Sequence, residues 1–97
     1  TRQTVDHGGP GRTKYVIDFD HASLAALPRD TVLKSEVQVT GPGQAVHQQI
    51  FFNEFDGSRR LVIVLESQPG GPPVDVRARL LLDGRPVTET WQMQWLP

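Results

Sequence analysis

The chain has 97 residues and a mass of 10.8 kDa, with 10 Lys and Arg against 11 Asp and Glu and a formal net charge of −1. That size is one small domain, and the near balance of charge excludes a binder that tracks nucleic-acid phosphates, which carries a basic excess. Cysteine is absent, which excludes disulfides, thiol catalysis and thiolate metal sites, and the longest apolar run, 61–65, falls far short of a membrane helix.

Nine glycines and eight prolines beside real apolar runs predict many short strands joined by turns. Residues 1–13 read as a flexible linker or tail, because Gly8-Gly9-Pro10-Gly11 and a single aliphatic residue, Val5, cannot offset ordering entropy by burial. The domain boundary is placed near Arg12, with the folded unit over 14–97. Thr1 in place of Met, with no charged and apolar leader after it, points to a piece of something longer.

The first strand is predicted over 14–19, with Tyr15, Ile17 and Phe19 on one face. A single helical turn over 23–27 follows, with Ser23 as its expected N-cap and Pro28 as its breaker. Residues 33–40 alternate, Leu33, Val37 and Val39 against Lys34, Glu36 and Gln38, before the turn Gly41-Pro42-Gly43. Residues 45–53 put Val46, Ile50 and Phe52 inward and His47, Gln49 and Phe51 outward, and Asp56-Gly57 marks a hairpin. The strand over 59–66 is apolar on both faces, as a central strand is. After the loop Pro69–Pro73, the next strand points Val74, Val76, Ala78, Leu80 and Leu82 inward and Asp75, Arg77 and Arg79 outward. Asp83-Gly84 is the strongest hairpin signal, and the last strand, 86–95, aligns Val87, Trp91, Met93 and Trp95. Six strands, or seven with one hidden in a loop, and no long helix describe an all-β chain: a small immunoglobulin-like antiparallel β-sandwich.

Chemistry-bearing groups are sparse. Asp18, Asp20 and His21 cluster at a strand end, but the ligand pattern stops there, and the plain reading is a strand turning into a loop. His7, His21 and His47 have no zinc-motif spacing, the serines lack a nucleophile elbow, and no phosphate-cradling glycine loop is present. Glu36, Glu54, Asp56 and Glu66 read as solvated strand faces and turns rather than a glycosidase pair. Glu89 shares the inward phase of Val87 and Trp91, so it is expected either to pair with an arginine or to sit at an edge in water. Trp91 and Trp95 lie on one strand face; Trp91 is assigned to the core, and Trp95 to the core or to contact with a neighbouring domain.

Lys14-Tyr15-Val16-Ile17-Asp18-Phe19, Val74-Asp75-Val76-Arg77-Ala78-Arg79-Leu80 and the closing Thr88-Glu89-Thr90-Trp91-Gln92-Met93-Gln94-Trp95 resemble, in order and spacing, the carboxy-terminal domain of the periplasmic glucan biosynthesis proteins G and D (OpgG/MdoG and OpgD). The glycine-rich 8–11 resembles that family's interdomain connection. The resemblance implies a periplasmic protein of two β-sandwich domains. A large amino-terminal one carries the cleft for β-1,2-linked glucan, and a small immunoglobulin-like one packs against it. Some members of the family are similar to β-1,2-glucan hydrolases, but the acidic residues of that chemistry belong to the large domain. No catalytic, cofactor-binding or metal-binding residue is therefore assigned here.

The resulting expectation is a noncatalytic domain that supports a glucan-handling partner domain, with Trp95, Arg77 and Arg79 as candidate interdomain or glucan-rim contacts. The alternative is a free-standing carbohydrate-binding or protein-interaction sandwich, which for sugar needs Trp91 or Trp95, with Phe51 or Tyr15, exposed as a stacking platform.

Overall fold

The computed structural model describes residues 2–7 and 10–97. Their strands are β1 (Arg2–His7), β2 (Arg12–Phe19), β3 (Lys34–Val39), β4 (Gln44–Phe52), β5 (Arg59–Glu66), β6 (Val74–Leu82), β7 (Arg85–Pro86) and β8 (Trp91–Trp95), with one short helix, α1 (Ala22–Ala25). All pairings are antiparallel. One sheet runs β1-β2-β5-β4; in the other, β6 pairs with β3 on one side and with β7 and β8 on the other. This is the expected all-β sandwich, with more strands than the six or seven predicted.

Alternation builds the core. Tyr15, Ile17 and Phe19 of β2 and Leu61, Ile63 and Leu65 of β5 are buried, as are Val74, Val76, Ala78 and Leu80 of β6 and both tryptophans of β8. Their inward faces are those that period-two patterning assigns. Leu24 of α1 is fully buried and joins the same core.

Several local expectations are corrected. Residues 2–7, expected within a linker, form β1, paired residue for residue with β2 from Arg2–Asp18 to His7–Thr13. The linker expectation also covered Thr1, Gly8 and Gly9, which lie outside the described residues, as does the side chain of His7. The helix starts earlier than Ser23: His21 occupies the N-cap without a side-chain bond, and its carbonyl accepts Leu24 and Ala25 N–H at 3.0 and 3.1 Å. The packing of Leu24, not a capping hydroxyl, sets this turn.

In β4 a bulge between Ala45 and His47 breaks the alternation. Val46, expected inward, is 43% exposed, and Ala45 packs on the core in its place. The predicted strand 86–95 divides into β7 and β8, because Leu80 is diverted. Its N–H donates to Thr88 Oγ1 at 3.1 Å and its carbonyl accepts Val87 N–H at 3.0 Å. Residues 87–90 then span only Arg79 and Leu80 of β6.

The Asp83-Gly84 hairpin is as expected: φ is 51° at Asp83 and 78° at Gly84, the paired positive values of a type I′ turn. The β4–β5 connection is wider than a two-residue turn. Asn53 and Asp56 wind it by accepting the N–H groups of Phe55 and Ser58, each at 2.9 Å.

Candidate functional site

The outer face of the second sheet is built from register-opposed polar residues. Glu36 lies opposite Arg79, and Arg77 lies between Gln38 of β3 and Gln92 of β8. Arg79 Nε donates to Glu36 Oε1 at 2.8 Å. A hollow of about 170 Å³ is lined by Glu36, Gln38, Arg77, Arg79 and Thr90, and one of about 280 Å³ by Asp75, Arg77, Gln92, Met93 and Gln94. Arg77 separates the two. Guanidinium donors beside amide and hydroxyl groups can bind sugar hydroxyls or a polar protein surface.

Of the three predicted contact residues, the structure brings Arg77 and Arg79 together and sets Trp95 apart. Trp95 is 5% exposed, faces inward opposite Val74, and shows only an edge to a small cleft beside Pro10 and Pro69. Trp91 and Tyr15 are buried too, their rings 5.3 Å apart and tilted by 58°. Burial also raises the Tyr15 phenol pKa. A sugar platform on either tryptophan is therefore not presented by this fold.

The acidic strand end is engaged in pairing. Asp18 takes Arg60 Nε at 2.8 Å and its Nη2 at 3.3 Å, directly across β2 and β5, and this hydrogen bond raises the Arg60 pKa. His21 Nε2, closed off from solvent, faces Glu89 Oε2. Glu89 is exposed, the expected edge position in water, and the excursion at 87–90 also brings its carboxylate to His21. Among the described residues, no cluster of three His, Asp or Glu is placed to hold a metal.

Sequence reasoning missed a second surface. Phe55, at the β4–β5 loop, is fully exposed, and Phe51 is 44% exposed. With Phe52, Asn53, Glu54 and Arg60 they line a groove of about 400 Å³. The available signal was a phenylalanine inside a polar turn, where it has no strand face to fill.

Beneath this groove Arg59 is 2% exposed. It donates to the carbonyls of Gly57 and Pro28, and its guanidinium lies 4.6 Å from the Phe52 ring centroid. Burial lowers its pKa.

These observations define a small β-sandwich domain with its own core and two distinct outer surfaces, one polar and one aromatic. Residues 1–95 match the family described as "Periplasmic glucan biosynthesis protein, MdoG", and the chain belongs to that family. It is 29% identical over 84 residues to the probable glucans biosynthesis protein D of Shewanella oneidensis, a match covering 87% of this chain and 16% of the relative. It is 31% identical over 86 residues to the glucans biosynthesis protein D of Xanthomonas axonopodis pv. citri, with the same coverage. To the glucans biosynthesis protein G of Pectobacterium carotovorum it is 29% identical over 84 residues. The chain spans about a sixth of the length of these curated relatives. Among the described residues, no helix is long and apolar enough to cross a membrane.

Proposed function

We propose that the chain is the carboxy-terminal, noncatalytic domain of a periplasmic protein of β-1,2-linked glucan biosynthesis, supporting the glucan-handling β-sandwich domain that precedes it. The observation that carries this reading is one of proportion. The chain matches only 16% of a glucans biosynthesis protein D, yet it closes a core of its own from both sheets and α1. Such a unit folds as a domain and contributes surface rather than a deep cleft. Arg77 and Arg79 are its polar contact, to the partner domain or to the rim of a bound glucan.

The test is reducing-end release from linear β-1,2-glucan by three samples: the intact protein that carries this chain, the same protein without it, and the chain alone. The chain alone is expected to release nothing, and its removal to lower the melting temperature of what remains. Release by the isolated chain would overturn the reading.

A further inference from the structure

The β4–β5 hairpin has the properties of a docking element. β4 ends its sheet, so its outer edge has no ladder partner among the described residues; β3 of the other sheet reaches it through Ser35 Oγ, which donates to Gln48 Oε1 at 2.9 Å. Such edges are normally blunted by charge, proline or a bulge. Here the bulge at Ala45–His47 blunts only the leading half. Residues 44–52, Gln-Ala-Val-His-Gln-Gln-Ile-Phe-Phe, contain no Lys, Arg, Asp, Glu or Pro. The trailing half runs straight into the groove between Phe51 and Phe55. The charges around that groove are matched locally, Arg60 with Asp18 and Arg29 with Glu54. An edge free of charge and proline, ending in exposed aromatic rings and self-neutralised charge, fits an apolar-edged protein strand, not an anion.

We infer that the trailing half of β4, together with Phe51 and Phe55, docks the remainder of the same protein. This rests on the proposed reading of the chain as one domain of a longer protein. It commits to that occupant because the curated relatives extend over roughly six times the matched length, so most of such a protein lies outside this sandwich. Of the two contacts proposed for the Arg77–Arg79 face, the rim of a bound glucan then remains.

Hydrogen–deuterium exchange, compared between the isolated chain and the intact protein, tests the assignment. Amides of 48–55 are expected to slow by about tenfold or more in the intact protein, while those of 75–79 and 90–94 stay unchanged. The double variant Phe51→Ser/Phe55→Ser should keep the isolated chain's melting temperature within a few degrees, since neither ring is buried in it, and should abolish the slowing at 48–55. Slowing at 75–79 and 90–94 instead leaves the two-domain reading standing and overturns this inference. No slowing in any segment overturns docking altogether. Slowing at 48–55 that appears in the isolated chain as its concentration rises assigns the edge to a second copy and also overturns the inference.

Discussion

Trp91 Nε1 donates a hydrogen bond to Gln3 Oε1, joining β8 to β1 across 88 residues of sequence and across the gap between the sheets. Gln3 Nε2 also reaches Met93 Sδ at 3.8 Å. β1 is thus tied to the opposite sheet as well as to its neighbour β2. Replacing Gln3 by Leu leaves the part-buried indole N–H without its acceptor, and a loss of about 1 kcal/mol is expected in urea unfolding. A change in tryptophan fluorescence should accompany it. An unchanged midpoint would show that water replaces Gln3 at no cost.

Arg59 serves three pieces of chain at once: the carbonyls of Pro28 and Gly57 and the face of Phe52. Arg59→Met keeps much of the volume and removes the donors, leaving those carbonyls short of partners. A loss of about 2–4 kcal/mol is expected. Arg59→Lys should recover only part of it, because an ammonium lacks the planar fork that reaches two carbonyls at once. Full recovery by Lys would assign Arg59 a role in charge alone.

Gly57 and Gly70 separate backbone conformation from crowding. Both have positive φ, 73° and 72°, but a Cβ on Gly57 would lie 2.9 Å from Ala25 Cα, whereas one on Gly70 meets nothing within 4 Å. Gly70→Ala should cost only the left-handed strain of about 1–2 kcal/mol. Gly57→Ala should cost distinctly more, because α1 must yield as well. Equal melting temperatures for the two variants would contradict the close approach of the hairpin to α1.

Tyr15 is the chain's single tyrosine, so phenolate absorbance reports on it alone. Burial raises its pKa above the ordinary 10.0. Its neutral form is therefore favoured by folding. That contribution is complete below the unfolded pKa and is lost as pH rises through the folded one. The titration midpoint is expected above 10.0 in the folded chain and back at the ordinary value in urea. A normal midpoint in the folded chain would place the ring in water.

Arg77→Ala is expected to leave the isolated chain's unfolding midpoint within about 0.5 kcal/mol, since the side chain is exposed. Glu36→Gln should cost no more than about 1 kcal/mol, the usual range of a solvent-accessible ion pair. Larger losses in urea melts would mean that this face holds the fold together rather than presenting contacts.

Strand faces were legible wherever one side of a strand is buried, because period two then leaves no choice. β2 and β6 follow the predicted alternation, and β5 is covered on both faces over 61–65, as predicted for a central strand. The errors lie where a single polar group redirects the backbone. Thr88 captures Leu80 N–H and splits the last strand, and the bulge before His47 turns Val46 outward. Neither leaves a mark in hydrophobic patterning. β1 was missed because Arg2–His7 is polar, and what holds it is backbone pairing plus one glutamine. At the candidate surfaces, the outward phase of Arg77 and Arg79 was readable from Val74 and Val76. Phe55 left only its place inside a polar turn as a sign, and its full exposure follows from the winding of that loop by Asn53 and Asp56.

The ion pairs Arg12–Glu66 and Asp18–Arg60 stand near opposite ends of the β2–β5 ladder. Sliding β2 along β5 by one residue would turn its side chains inside out, and sliding it by two would part both pairs at once. Two electrostatic latches thus single out one alignment while the chain is still searching. That selection matters most for strands such as these, whose partners are some forty or more residues away and whose meeting is slow.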